Sequence, residues 1–227
     1  MPYPELYDDK LESLLVLAPH PDDEIIGCGG LLLKYRYADR KIVFITDGSK
    51  GDPYIGKKEL IEIRKSESQN VLHSIGINKI DYLEIEDGKV MENVDVIKEN
   101  LKKDISKYQN IITPFVFDNH IDHLYTTKAL YEILKECKKS DNTIWLYEGW
   151  SPLIPNLLVN ITQYIDQKKE LIRMYKSQIK HIAYDEKIVG LNSYRSIGAG
   201  LQEIEYCEAY YKCTAKEFLK LYIKYLK

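Results

Sequence analysis

Two short stretches hold most of the chain's capacity for chemistry. One is His20-Pro21-Asp22-Asp23-Glu24, and the other is Asp118-Asn119-His120-Ile121-Asp122-His123. Three of the five histidines (His20, His73, His120, His123 and His181) fall within them. Three consecutive carboxylates repel one another and raise at least one pKa unless a cation or a donor compensates. Imidazole with carboxylate is a donor set that suits zinc and similar divalent ions. His20 and Asp23 are three apart, as are His120 and His123. On a turn or a first helical turn that spacing lets both members face one spot. Either pair alone recurs by chance; together they point to a metal site. Spacing leaves open which of Asp22 and Asp23 would ligate. It also leaves a plainer reading, a solvated acidic loop with Asp122 serving a helix start through capping and the helix dipole.

The elements that must hold these stretches are legible around them. Leu14 to Ala18 is a continuous apolar run ended by Pro19, as in a parallel strand buried on both faces. Gly27, Gly29 and Gly30 lead into Leu31, Leu32, Leu33 and Tyr35, which read as a helix. Further strands are expected at 41–46, 80–85, 111–113 and 143–147, with helices at 57–75, 94–105 and roughly 121–138. This alternation predicts an α/β fold, a Rossmann-like doubly wound, mostly parallel sheet with helices on both faces. Ligands of such sheets bind at the carboxyl ends of the strands, where both polar stretches fall. Residues 151–227 carry a loop marked by Pro152 and Pro155 and expected helices near 166–182 and 214–226. They are expected to pack on the sheet of the 1–150 core, making 1–227 one domain.

Composition narrows the function. Lys and Arg total 32 against 35 Asp and Glu, a net charge of −3, which argues against a dedicated nucleic-acid binder. The four cysteines show no C-x-x-C spacing, so no zinc ribbon or redox pair is read from them. No signal peptide is visible, and no apolar run reaches the ~18 residues needed to span a bilayer, which leaves a cytoplasmic protein as the expectation. Gly27-Cys28-Gly29, with Asp47 twenty residues after Gly27, sketches a dinucleotide fingerprint, but Leu32 stands where its third glycine belongs. Three carboxylates would also face the pyrophosphate. The better role for these glycines is close approach of a helix to the sheet.

The stretch LLVLAPHPDDEIIGCGGLL resembles the opening signature of the zinc-dependent de-N-acetylases of the PIG-L family, also called LmbE-like. NHIDHLYT resembles that family's H-x-D-H motif. Thr46–Gly48, the pair Arg64 and Glu67, the turn at Asp87 and LYEGWSPL at 146–153 also have counterparts, so the resemblance extends over most of the chain.

The resemblance implies roles. His20, Asp23 and His123 would bind Zn2+, with Fe2+ as the alternative. Asp22 would be the general base toward water at the metal, and then the proton carrier to the leaving amine. His120 would stabilise the oxyanion, best as an imidazolium. Asp122 would orient a histidine from outside the ligand set. Arg64 and Asp87 would contact the sugar, although a surface Arg64 paired with Glu67 is the plainer reading. Asp47 lies at a strand end and can equally start a turn, Glu24 is expected to hold its loop by hydrogen bonds, and His73 and His181 are expected to be structural or surface residues. The implied reaction removes the acetyl group from an N-acetylglucosamine-type sugar conjugate. Its aglycone and the oligomeric state stay open. Two alternatives are another metal hydrolase, such as a phosphoesterase, and a non-catalytic sugar- or nucleotide-binding module. In some relatives an aromatic precedes H-x-D-H; here Asp118 and Asn119 stand there.

Overall fold

The apolar run at the start of the chain forms β2 (Ser13–Ala18). Side chains alternate across a strand, and here Leu14, Val16 and Ala18 enter one core while Leu15 and Leu17 enter another. Both faces of the strand are therefore covered, which is why it reads as an unbroken hydrophobic run. The computed structural model describes residues 3–137 and 140–226. After β1 (Glu5–Leu6) and β2 come α1 (Asp23–Lys34), β3 (Asp39–Thr46), α2 (Lys57–Ser74), β4 (Lys79–Ile85) and α3 (Val94–Ile105). Then follow β5 (Asn110–Pro114), α4 (Ile121–Glu136), β6 (Thr143–Tyr147), β7 (Leu157–Asn160), α5 (Ile165–Arg173) and α6 (Lys176–Ile179). The described chain closes with α7 (Tyr184–Ser196), β8 (Cys207–Thr214) and α8 (Ala215–Leu226).

Among the described residues eight strands make one sheet, in the order β1-β7-β8-β6-β5-β2-β3-β4. β8 pairs antiparallel with both β6 and β7, and the remaining pairings are parallel. One face carries residues of α1, α2 and α5, among them Leu32, Leu72 and Ile172. The other carries residues of α3, α4 and α8, among them Leu101, Leu130 and Phe218. The sheet is thus mostly parallel with helices on both faces, as expected.

The C-terminal part departs from the sequence expectation. The helix expected over 166–182 is broken at Met174 and Tyr175, because Tyr175 turns inward, 1% exposed, to donate its hydroxyl to Glu24 Oε1. β7, α7 and β8 were not expected. β8 hides its nature by placing the charged Glu208 at a buried position, and α7 buries only Ile188 and Asn192, too few to show a helical period. The expected end of the 121–138 helix lies outside the described residues.

α1 starts at Asp23, so the three glycines lie inside it rather than ahead of it. A Cβ on Gly27 would sit 2.2 Å from the Tyr147 ring, which confirms close approach to the sheet as its role. The helix bends at Cys28, whose φ of −145° is not helical. The bend leaves amides without helical partners, and β8 supplies the partner. Glu208 accepts from Gly30 N at 2.6 Å and from Leu31 N at 2.8 Å. Lys168 Nζ reaches Glu208 Oε1 at 2.7 Å and Ile26 O at 3.0 Å. Both side chains are essentially excluded from water, at 1% and 0% exposure. This pair braces the two halves of the helix whose first turn carries Asp23.

Candidate active site

The two polar stretches meet at the carboxyl ends of β2 and β5. Pro19 ends the first strand, and Thr46 at the end of β3 fixes the following loop by donating its amide (2.9 Å) and its hydroxyl (2.8 Å) to Pro19 O. His20 then donates its amide to Asp23 Oδ2 at 2.9 Å, curling the loop into the first turn of α1. Asp22 sits at the corner with φ 143° and ψ −28°, a conformation that L-residues avoid and that marks stored strain at a site. Three contacts hold it there. Glu24 Oε2 accepts its amide at 3.0 Å, Arg64 Nη2 lies 3.1 Å from its Oδ1, and Arg64 also donates to the neighbouring Pro21 O at 2.6 Å.

The expected ligand residues converge. Asp23 Oδ2 lies 3.1 Å from His20 Nδ1 and 3.2 Å from His123 Nε2. His123 is wholly buried, and neither of its ring nitrogens makes a well-formed hydrogen bond among the described residues. Its Nδ1 lies 3.4 Å from Asp118 Oδ1. A buried imidazole with an unsatisfied nitrogen beside a carboxylate and a second imidazole fits a divalent ion held by nitrogen and oxygen donors. His20, His120 and His123 also bring ring nitrogens within 4.8 Å of one another, as do ligand atoms of His20, Asp87 and Asp122.

Asp122 has a larger role than a helix-start carboxylate. It is buried, lies 3.3 Å from His20 Nε2 and accepts the amides of Gly88 at 2.7 Å and Val90 at 3.3 Å. It therefore orients His20 and ties the β4 loop to the β5 loop. His120 caps α4, its Nδ1 accepting the Asp122 amide at 3.2 Å. An accepting Nδ1 carries no proton, so Nε2 carries it. Burial, followed by the nearby His20 and His123, pushes the His120 pKa down. With Nδ1 committed to the helix start, Nε2–H is the donor His120 has left.

The electrostatics sort the other groups. Burial raises Asp22 to about 6, against the lowering effect of Arg64. Burial likewise pushes Glu24 up to about 8 despite the Tyr175 hydroxyl. Burial opposes charge on His20, but hydrogen bonds to Asp122, Asp23 and Asp87 outweigh it and hold His20 well above its ordinary value. Asp23 would rise by burial, yet the His123 charge holds it well below the carboxylate range. Two neighbouring carboxylates are thus driven apart, one toward protonation and one away from it, a pattern typical of sites that assign different tasks to similar groups.

The remaining expected residues are also placed. Arg64 is buried at 3% exposure and bonds Gly48 O at 3.1 Å; its pairing with Glu67 does not form, since Glu67 accepts from Ser177 instead. Asp87 lies 3.5 Å from His20 Nε2 and lines the same cavity as Arg64. Asp47 is a turn residue, its Oδ1 accepting the amides of Ser49 and Asp87, both at 3.0 Å. His73 lies on the exposed face of α2, and His181 sits 3.1 Å from Asp52.

The cluster opens into a cavity of about 430 Å³ lined by His20, Asp22, Asp23, Arg64, Asp87 and His120. Lys50, Trp150, Gln178 and Tyr184 also line it and had no sequence-based assignment. Trp150 lay within the quoted LYEGWSPL stretch, a usable signal. Gln178 lay inside the expected 166–182 helix and Tyr184 in a segment with no readable pattern, and neither position carried a signal of the site. Gly149 has a definite task, because a Cβ there would stand 3.0 Å from the His123 ring.

The model of the family described as "GlcNAc-PI de-N-acetylase" (PIG-L) matches residues 15–134. A diacetylchitobiose deacetylase of Thermococcus kodakarensis is 25% identical over 190 residues, covering 75% of this chain and 71% of that protein. A probable N-acetyl-alpha-D-glucosaminyl L-malate deacetylase of Bacillus subtilis is 32% identical over 143 residues, covering 57% of this chain and 64% of its own. The crystal structure of the N,N'-diacetylchitobiose deacetylase from Pyrococcus horikoshii has this fold, with a TM-score of 0.80 and 23% identity over 92% of this chain and 86% of that one.

Proposed function

The chain belongs to the PIG-L family of de-N-acetylases, and on that premise we propose that it hydrolyses the acetamido group of an N-acetylglucosamine-type sugar conjugate to acetate and free amine. The observation that carries this reading is Asp23 Oδ2 set between His20 Nδ1 and the buried His123 Nε2, beside a strained Asp22, with His20, Asp22 and Asp23 lining an open cavity. His20, Asp23 and His123 would hold the metal, zinc or Fe2+. Such an ion supplies Lewis acidity toward the carbonyl and lowers the pKa of water.

The chain's own residues do the rest. Asp22 takes a proton from the attacking water and delivers it to the nitrogen as the C–N bond breaks. Arg64 keeps Asp22 in its strained conformation and, with Asp87, offers the sugar polar contacts on the cavity wall. The Nε2–H of His120 donates to the oxygen that gains negative charge. Asp122 holds His20 in place from outside the ligand set.

A two-metal phosphoesterase is the second reading, and the His20, Asp87 and Asp122 group is what favours it. That group shares His20 with the first, which leaves too few residues for two complete ligand sets.

Metal content measured alongside acetate release from a panel of N-acetylglucosamine derivatives tests the proposal. One metal per chain with acetate from any panel member supports it. Two metals per chain favour the phosphoesterase. No metal, even after reconstitution, leaves a binding module.

A further inference from the structure

The chain has two tryptophans, and they are in opposite situations. Trp145 is fully buried and donates its indole N–H to Asn110 Oδ1 at 3.0 Å. Trp150 is 53% exposed at the cavity edge, its ring centroid 5.9 Å from that of His120. The loop that presents it is nonetheless tightly fixed. Trp150 N donates to Asp118 Oδ2 at 2.9 Å, and Asn119 N donates to Ser151 Oγ at 3.0 Å. Glu148 forms a largely buried ion pair with Arg195 and accepts Leu153 N at 2.9 Å, while Arg195 donates to Leu153 O at 2.8 Å. Asp118 thereby serves two masters, the indole-bearing loop and His123.

A fixed loop that leaves its largest apolar side chain half exposed does not use most of that side chain for packing. It does prepay the ordering cost of binding something flat against it. Indole is a rigid face with negative π density, complementary to the C–H groups on one side of a pyranose ring. The same cavity carries Ile121 as a second exposed apolar contact and Lys50, Asp87 and Gln178 as polar ones. Apolar and polar walls around one opening suit a ligand with an apolar face and a hydroxylated edge.

We infer that Trp150 is the specificity-determining platform of this site: the pyranose of the N-acetylated sugar stacks on its indole, which sets the acetamido group beside His120 and the His20–Asp23–His123 cluster. The inference rests on the proposed de-N-acetylase reading but names a binding determinant that does no bond chemistry. Stacking that persists unchanged through the reaction is uniform binding, which acts on KM and not on kcat.

The experiment is a fluorescence titration of the metal-loaded protein with N-acetylglucosamine and with diacetylchitobiose, alongside steady-state acetate release. Wild type, Trp150→Phe and Trp150→Ala are compared. With Trp145 buried, a sugar-dependent change in indole emission that is absent from both variants belongs to Trp150. Expected are such a change in wild type, a KM raised about tenfold or more in Trp150→Ala with kcat nearly unchanged, and recovery of most of the loss in Trp150→Phe. Wild-type KM in Trp150→Ala, or no emission change with either sugar, overturns the platform and leaves the de-N-acetylase reading to its own acetate assay. Emission that titrates without acetate release keeps the platform and defeats the hydrolytic reading. A Trp150→Ala protein that changes oligomeric state at unchanged KM reassigns the indole to an interface between copies and overturns the platform.

Discussion

Arg64 Nη2 stands 3.1 Å from Asp22 Oδ1, a charge contact made where Arg64 is only 3% exposed. The same guanidinium bonds Pro21 O and Gly48 O, so one side chain locks the strained corner to the loop after β3. Removing it strands a buried carboxylate and two carbonyls. Breaking a buried pair from one side costs on the order of 3–5 kcal/mol. Arg64→Met is expected to lose about that much in urea unfolding. Arg64→Lys should lose less, since it keeps the charge but not the planar fork. A wild-type unfolding midpoint for Arg64→Met would show that the guanidinium does not brace the corner.

Metal retention and turnover should separate among the cluster residues. Asp22→Asn is expected to keep metal through dialysis while turnover falls by about 10²–10⁴-fold. Asp23→Ala and His123→Ala should lose both. His120→Ala should keep metal and slow by about 10²–10³-fold, the usual cost of one oxyanion donor. Elemental analysis decides the ligand set. Loss of metal in His120→Ala would move that residue among the ligands, which its nitrogen's position within 4.8 Å of His20 and His123 allows sterically.

Gly149→Ala tests the loop behind His123. The added methyl would meet Asp118 Oδ2 at 2.9 Å and the His123 ring at 3.0 Å, so the carboxylate that lies beside His123 must shift and the ring give with it. Metal affinity should fall, with stability down by about 1–3 kcal/mol. Gly190→Ala in α7 is the control, because its methyl would meet nothing within 4 Å. There the smaller backbone entropy loss should add about 0.5–1 kcal/mol. Equal metal binding in wild type and Gly149→Ala would remove the packing role.

Asp52 gives a pH prediction away from the cluster. Its Oδ2 meets Lys180 Nζ and lies 3.1 Å from His181 Nε2, and Lys180 foremost holds its carboxyl below the usual carboxylate range. A carboxyl depressed in the folded state contributes stability that is fully present above its unfolded pKa of about 4 and is lost as pH falls below it. Thermal unfolding followed downward from about pH 5 should therefore fall less steeply in Asp52→Asn than in wild type. Parallel curves would remove the ion pair from the acid response.

Much of this architecture was visible in the sequence, for a physical reason. β2 is buried on both faces, so Leu14 to Ala18 could read only as a central strand, and the polar residues after it had to fall at its carboxyl end. That placement brought the two polar stretches together, but only the family resemblance singled out Asp23 over Asp22 beside His20 and His123. The task of Asp122 was half legible; its bond to His20 crosses 102 positions, and no local pattern reports that. The plainer alternative for Arg64, a pair with Glu67 three residues on, does not form, because tertiary burial turns the guanidinium toward Asp22 and the cavity. β8 escaped because its buried glutamate serves another element's amides. That His120 spends its Nδ1 on a helix cap is a commitment visible only in three dimensions.

The brace on α1 also fixes an order of events. All cluster residues precede position 124, while Glu208, which satisfies the amides of Gly30 and Leu31, is translated far later. At roughly 5–20 residues per second the delay is on the order of ten seconds. Until then β6, whose partner on that side is β8, presents Thr143-Ile144-Trp145-Leu146-Tyr147 as an open apolar edge of the kind that recruits other chains. A nascent or prematurely terminated chain would thus hold every residue of the cluster without the strand that completes the sheet.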